Sequence, residues 1–254
     1  MSVVASSPWQ PAPEQWATRV APHLKVTALV VFVVCVVATP SRVWVPYLAH
    51  LAVLLTAMVL VRVPLRRLVA GLALELPFVV MALLMPLVAH GERMQVLGVS
   101  VSRDGLWGAQ ALLAKGLLGV LAATLLAATT RTPDLLEGLR RLRVPRQLVD
   151  IAGFMTRYLG TVTQQWRRMS IARASRGFRA HSARHWVVLA RSIGALFIAC
   201  YERGERVHLA MLSRGFQGTM PPSARPGRAA AHGGLVLLVP ATALLITVAA
   251  WWWR

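Results

Sequence analysis

The chain has 254 residues, 56% of them hydrophobic, yet it carries 28 Lys and Arg against 9 Asp and Glu, a net charge of +19. That pairing excludes an ordinary water-soluble domain, and its reconciliation is a set of apolar runs that cross a bilayer with the charge gathered between them. The two cysteines, Cys35 and Cys200, lie far apart in apolar runs and predict no disulfide framework.

The first 23 residues form an N-terminal segment with Trp9, Glu14, Trp16 and three prolines near its start. It has no apolar core, so it is not expected to be a cleaved secretory signal. Residues 24–130 hold four apolar segments, at about Leu24–Ala38, Val43–Val61, Leu68–His90 and Leu106–Thr130. A fifth, at about Gly233–Trp253, lies in the C-terminal stretch 233–254. The predicted fold is therefore an all-α, polytopic membrane protein of about five transmembrane helices. The first segment is short for the roughly 20 residues that a spanning helix needs. Trp44 and Trp251–Trp253 suit an interfacial aromatic belt. Pro77 and Pro86 predict kinks in the third segment.

Glu75 and Lys115 are the strongly ionisable residues well inside these runs. Both are expected near mid-membrane, where a charge is costly unless paired, so an interhelical Glu75–Lys115 contact is one expectation. The alternatives are that one of them snorkels to the headgroups or faces a partner subunit.

Basic residues set the orientation. Arg62, Arg66 and Arg67 crowd one loop, and residues 131–228 hold 18 Arg against five acids. The opposite loops hold Arg42, and Arg93 and Arg103 offset by Glu92 and Asp104. The positive-inside rule puts the N-terminus and the long basic stretch in the cytoplasm of a cell whose inner membrane holds the chain.

Within that stretch, residues 131–216 are expected to form a cytoplasmic helical domain, followed by a Pro-, Gly- and Ala-rich linker at 217–232. Thr132, Pro133 and Asp134 read as the start of a helix that ends before Pro145. Leu148, Ile151, Met155, Leu159 and Val162 recur at steps of three and four, marking an amphipathic helix that continues, strongly basic, to Arg176. Residues 184–214 read as a second long helix, in-plane or protein-packed rather than spanning, because its apolar middle is short and contains Arg191.

Both helices end on the same four letters, Ser175-Arg176-Gly177-Phe178 and Ser213-Arg214-Gly215-Phe216. The glycines sit where a left-handed helix terminus needs them, and the phenylalanines can fold back as the accompanying apolar contact. Arg176 shares its face with Met169, Ala172 and Arg173, and Arg214 with Val207, Ala210 and Met211. A guanidinium at a helix tip among small or flexible apolar side chains suits insertion into a partner's groove.

At these residues the sequence resembles the transmembrane T component of energy-coupling factor (ECF) transporters, most closely the cobalt branch, CbiQ. The resemblance covers nearly the whole chain, and "ERGERVHLAMLSRGFQG" is its most specific segment. It implies that Ser175, Arg176, Gly177, Ser213, Arg214 and Gly215 dock two ABC-type ATPase subunits. It also implies a separate substrate-binding integral membrane subunit, CbiM-like if the cargo is cobalt. Nickel or a vitamin are the alternative cargoes. Serine replaces the family's usual alanine in both motifs, and Ala21 and His23 stand where the family opening has Asp and Arg.

No phosphate-binding loop is present, so the chain is read as a non-catalytic subunit that binds no cofactor itself, ATP being held by its partners. His181 and His185 have helical metal-ligand spacing but no Cys or carboxylate beside them, and no metal site is expected. The competing class is a basic membrane protein that holds anionic lipid or nucleic acid by charge. The fixed Arg-Gly geometry argues against it, so lipid is expected only as the surrounding bilayer and nucleic acid not at all.

Overall fold

The computed structural model describes residues 20–89, 93–96, 99–178, 186–218 and 233–252. His181, His185, most of the predicted linker and most of the N-terminal segment lie outside the described residues. The apolar runs fold as helices α1 (Pro22–Ala38), α2 (Val45–Leu60), α3 (Leu65–Leu72), α4 (Leu76–Val88), α5 (Arg103–Thr129) and α9 (Gly233–Trp252). The basic stretch forms α6 (Thr132–Arg141), α7 (Arg146–Ser175) and α8 (Trp186–Leu212). A short antiparallel pair, β1 (Arg93–Val96) and β2 (Val99–Ser102), joins α4 to α5, with Val96 opposite Val99.

The third apolar run is broken. A 3-10 turn at Ala73–Glu75 separates α3 from α4. Pro77 supplies the reason: it has no N–H, and its ring conflicts with the carbonyl of Ala73 four residues back, so regular α-helix fails there. Pro86 is held inside α4 without ending it. At the start of α5, Ser102 caps the helix by accepting from the Gly105 amide at 3.3 Å. The helix predicted to open at Thr132 has Arg131 as its N-cap, with no side-chain cap bond.

Two compact units divide the chain, one holding α1–α6 and α9, the other α7 and α8. The division falls after Leu142, so α6 groups with the apolar helices. Close packing explains this: a Cβ on Gly138 of α6 would lie 3.1 Å from backbone atoms of Pro22 and His23.

In the first unit, Phe32, Val36, Leu54, Leu118 and Ala243 build a core shared by α1, α2, α5 and α9. Here α5, at 27 residues, is long and apolar enough to cross a bilayer by length, while α1, α2, α4 and most of α9 are shorter apolar helices. Outward faces are apolar too; Leu83 and Val88 of α4 are 75% and 73% exposed. Such surfaces need hydrocarbon around them, which makes this a helical membrane protein.

The last turn of α1 shows how strictly backbone polarity is settled there. Its four terminal carbonyls have no partner within the helix. Thr39 supplies two donors, its hydroxyl to Cys35 (2.9 Å) and its amide to Val36 (3.3 Å). Lys115 Nζ donates to Val37 at 2.9 Å, and Trp251 Nε1 to Ala38 at 3.0 Å. Helices α5 and α9 are thereby fastened to the end of α1. Nearby, fully buried His50 gives its Nδ1 proton to the Pro46 carbonyl at 2.6 Å and faces Thr247 Oγ1 through Nε2 at 3.5 Å.

Candidate functional site

The second unit consists of α7 and α8 packed on one another. Much of its apolar surface is uncovered: Leu148, Ile151, Met155 and Leu159 of α7 are exposed, as are Trp186 and Phe197 of α8. Both helices then end in the same backbone arrangement.

At the end of α7, Phe178 N–H donates to the Arg173 carbonyl at 3.1 Å and Gly177 N–H to Ala174 at 3.0 Å. After α8, Phe216 N–H donates to Met211 and Gly215 N–H to Leu212, each at 3.0 Å. Each is a Schellman cap, in which a left-handed residue turns the chain back over its own last carbonyls. Gly177 (φ 75°) and Gly215 (φ 81°) are those residues. The serines match as well: Ser175 donates to the Ala172 carbonyl and Ser213 to Ala210, both at 3.0 Å. Phe178 and Phe216 are half-buried, as a folded-back cap contact requires.

Arg176 and Arg214 are therefore presented in one local geometry, both exposed, and neither forms an ion pair among the described residues. A cation is favoured at the negative end of a helix dipole. Around them Met169, Val207 and Met211 are half-buried and Ala172 and Ala210 exposed, so each tip combines a charged fork with a shallow apolar shoulder.

The tips differ in one respect. On the first, Arg173 lies 4.8 Å from the Trp166 ring centre and donates to Ser170 Oγ at 3.0 Å. The second has Met211 in the corresponding place. Arg206 on α8 pairs with Glu202 one turn away at 3.7 Å, an exposed contact of little energetic weight.

Glu75 and Lys115 are not brought together. Glu75 is 5% exposed and lies against Gly116 of α5, its carboxylate oxygens 2.7 and 2.8 Å from where a Cβ on that glycine would be. Lys115, the preceding residue, projects about 100° around the helix from that face and is held by Val37.

A contact that the sequence reading missed joins Lys25 to the Thr129 carbonyl at 2.9 Å, tying α1 to the last residue of α5. Lys25 also lines an apolar cleft of about 840 Å³ between α1, α2, α5 and α9, as its sole charged residue among those described. Among the described residues, the cleft's lining offers no ligand set for a metal, and no group of three His, Cys, Asp or Glu side chains that could hold one occurs. Ala21 is the N-cap of α1, a position from which it can offer no side-chain oxygen.

The apolar helices make this a helical membrane protein, and comparison with known proteins points to a membrane component of a transport system. The family model described as cobalt transport protein CbiQ matches residues 13–224. The chain is 31% identical over 184 residues to the cobalt transport protein CbiQ of Rhodobacter capsulatus, covering 72% of this chain and 74% of that one. It is 24% identical over 218 residues to the energy-coupling factor transporter transmembrane protein EcfT of Listeria innocua, covering 80% and 81%. This chain belongs to the CbiQ family.

Proposed function

We propose that this chain is the energy-coupling membrane subunit of an ECF-type importer, lying in the cytoplasmic membrane with its N-terminus and the α7–α8 arm on the cytoplasmic side. Two ABC-type ATPase subunits dock on the helix tips, one through Arg176 and one through Arg214. ATP-driven closure of the ATPases moves the tips relative to one another, and the chain passes that motion to a separate substrate-binding membrane subunit. The chain carries out no catalysis and holds no ATP. The cargo is a cobalt ion, the reading favoured by the names of the matching family and of the Rhodobacter relative.

The observation that carries this reading is the match between the two helix ends in their reversed-turn hydrogen bonds, glycine conformation and serine contacts. A surface that held anionic lipid by charge alone would need no such duplication. The test is co-purification in detergent with the candidate ATPase, comparing wild type with Arg176→Ala/Arg214→Ala. Loss of the ATPase from a folded double variant supports docking through the tips. Failure of the wild type to bind any ATPase, with retention of anionic lipid, overturns it.

A further inference from the structure

Glu75 is a buried side chain in an unsettled position. It stands in the 3-10 turn between α3 and α4, and both its oxygens are buried with no hydrogen-bond partner among the described residues. A carboxylate shut away from solvent is costly unless donors or a cation satisfy it. It lies against Gly116 of α5, whose missing side chain makes the room the carboxylate occupies.

Lys115, the residue before Gly116, carries a cation one step along α5. Consecutive α-carbons are about 3.8 Å apart, and the four-carbon stem of lysine can swing an ammonium back over that step. In the arrangement seen, Lys115 donates instead to the Val37 carbonyl, one of the unpaired carbonyls in the last turn of α1. Each acceptor is left wanting when the ammonium serves the other. The 3-10 turn adds the freedom needed on the Glu75 side, since its hydrogen bonds are weaker than those of an α-helix.

We infer that Lys115 is a positioning residue with two acceptors, the Val37 carbonyl on α1 and the Glu75 carboxylate at the break between α3 and α4. Exchange of the ammonium between them changes which helix α5 is tied to. The chemistry of the exchange stands on the local geometry; its part in transport rests on the function proposed above.

The test is a double-mutant cycle in the full-length chain: wild type, Glu75→Gln, Lys115→Gln and the double variant, with Lys115→Arg as the conservative control. Cobalt uptake is measured in cells that carry the assembled transporter, and thermal midpoints on the purified chain. Lys115→Gln is expected to lower uptake on the order of tenfold, because the ammonium proposed to serve Glu75 in the exchange is then gone. The double variant is expected to recover to within about threefold of wild type, with Lys115→Arg close to wild type and the midpoints following the same order.

Additive losses in both uptake and midpoint overturn the inference. If Lys115→Gln fails to fold, folding of the double variant supports the exchange; failure of both while Glu75→Gln folds overturns it. If the wild type takes up no cobalt and binds no ATPase, the transporter reading falls, while coupled or additive midpoints still decide the exchange.

Discussion

Lys25 reaches across 104 residues of sequence to place its ammonium 2.9 Å from the Thr129 carbonyl. Thr129 is the last residue of α5, where carbonyls lack helical partners and the helix dipole is negative. The contact therefore satisfies a terminal carbonyl, and a buried cation gains an acceptor. Lys25→Met keeps the apolar stem and removes the bond. It is expected to lower stability by about 2 kcal/mol, the range for hydrogen bonds to charged groups. Thermal unfolding of the purified chain checks this, and an unchanged midpoint would show that the contact contributes nothing.

Gly177 and Gly215 hold φ angles of 75° and 81°, and a Cβ on either would touch nothing within 4 Å. Replacement by alanine thus isolates the backbone cost of the left-handed conformation, about 1 kcal/mol at each site. Asparagine, which tolerates that region better, should cost less. Hydrogen exchange at the Phe178 and Phe216 amides reports the cap directly: faster exchange in the alanine variants is expected, and wild-type protection in them would contradict the assignment. On the function proposed here, each alanine variant also weakens ATPase retention while leaving Arg176 and Arg214 in place.

These helix ends were legible in the sequence because their determinants are local: glycine, the phenylalanine after it, and the helical pattern before it. The apolar runs were legible for the same reason. The interruption of the third run was half legible. Pro77 announced a kink, but a 3-10 turn that carries Glu75 into a notch at Gly116 depends on what α5 places opposite.

Attraction of opposite charges suggested a Glu75–Lys115 pair. In the arrangement seen, the residue that faces Glu75 is Gly116, and Lys115 bonds the Val37 carbonyl instead. The bonds of Lys25 and Lys115 span 104 and 78 residues, beyond any local pattern. The β1–β2 pair had a signal that was passed over, the glycine at position 98 between two valine-containing stretches. Grouping of α6 with the apolar helices was hidden because it depends on Gly138 meeting the backbone at Pro22 and His23.

Two glycines of the same helix make a controlled comparison of packing. A Cβ on Gly105 would come within 2.7 Å of the Pro86 α-carbon, a backbone atom of α4 that cannot step aside. Gly119 has nothing within 4 Å. Gly105→Ala is expected to cost about 1–3 kcal/mol through overpacking. Gly119→Ala should be neutral or stabilising by up to about 1 kcal/mol, since alanine favours helix. Midpoints that move the same way for both would mean that α4 and α5 are not in this close contact.

Arg62 and Arg143 share an unusual backbone. They have φ of 50° and 61°, a region that costs residues other than glycine steric strain. The sequence around them repeats: Arg62-Val63-Pro64 and Arg143-Val144-Pro145, each between the end of one helix and the start of the next. Around Arg62 the reversed turn is complete, with Val63 N–H on the Met58 carbonyl at 3.1 Å and Arg62 N–H on Val59 at 3.0 Å. Proline explains why each new helix begins where it does, with Pro64 and Pro145 as the N-caps of α3 and α7. It does not explain arginine at the strained position, where glycine would serve. Arg62→Gly and Arg143→Gly are each expected to raise stability by about 0.5–1 kcal/mol, the relief of strain being partly offset by the greater freedom of glycine in the unfolded chain. On the function and orientation proposed here, arginine is kept there for its charge, and the stabilised variants should lose cobalt uptake or correct membrane orientation. Unfolding midpoints together with uptake assays on the two variants separate these effects, and a variant that gains stability at full uptake would leave the charge at that position without a role.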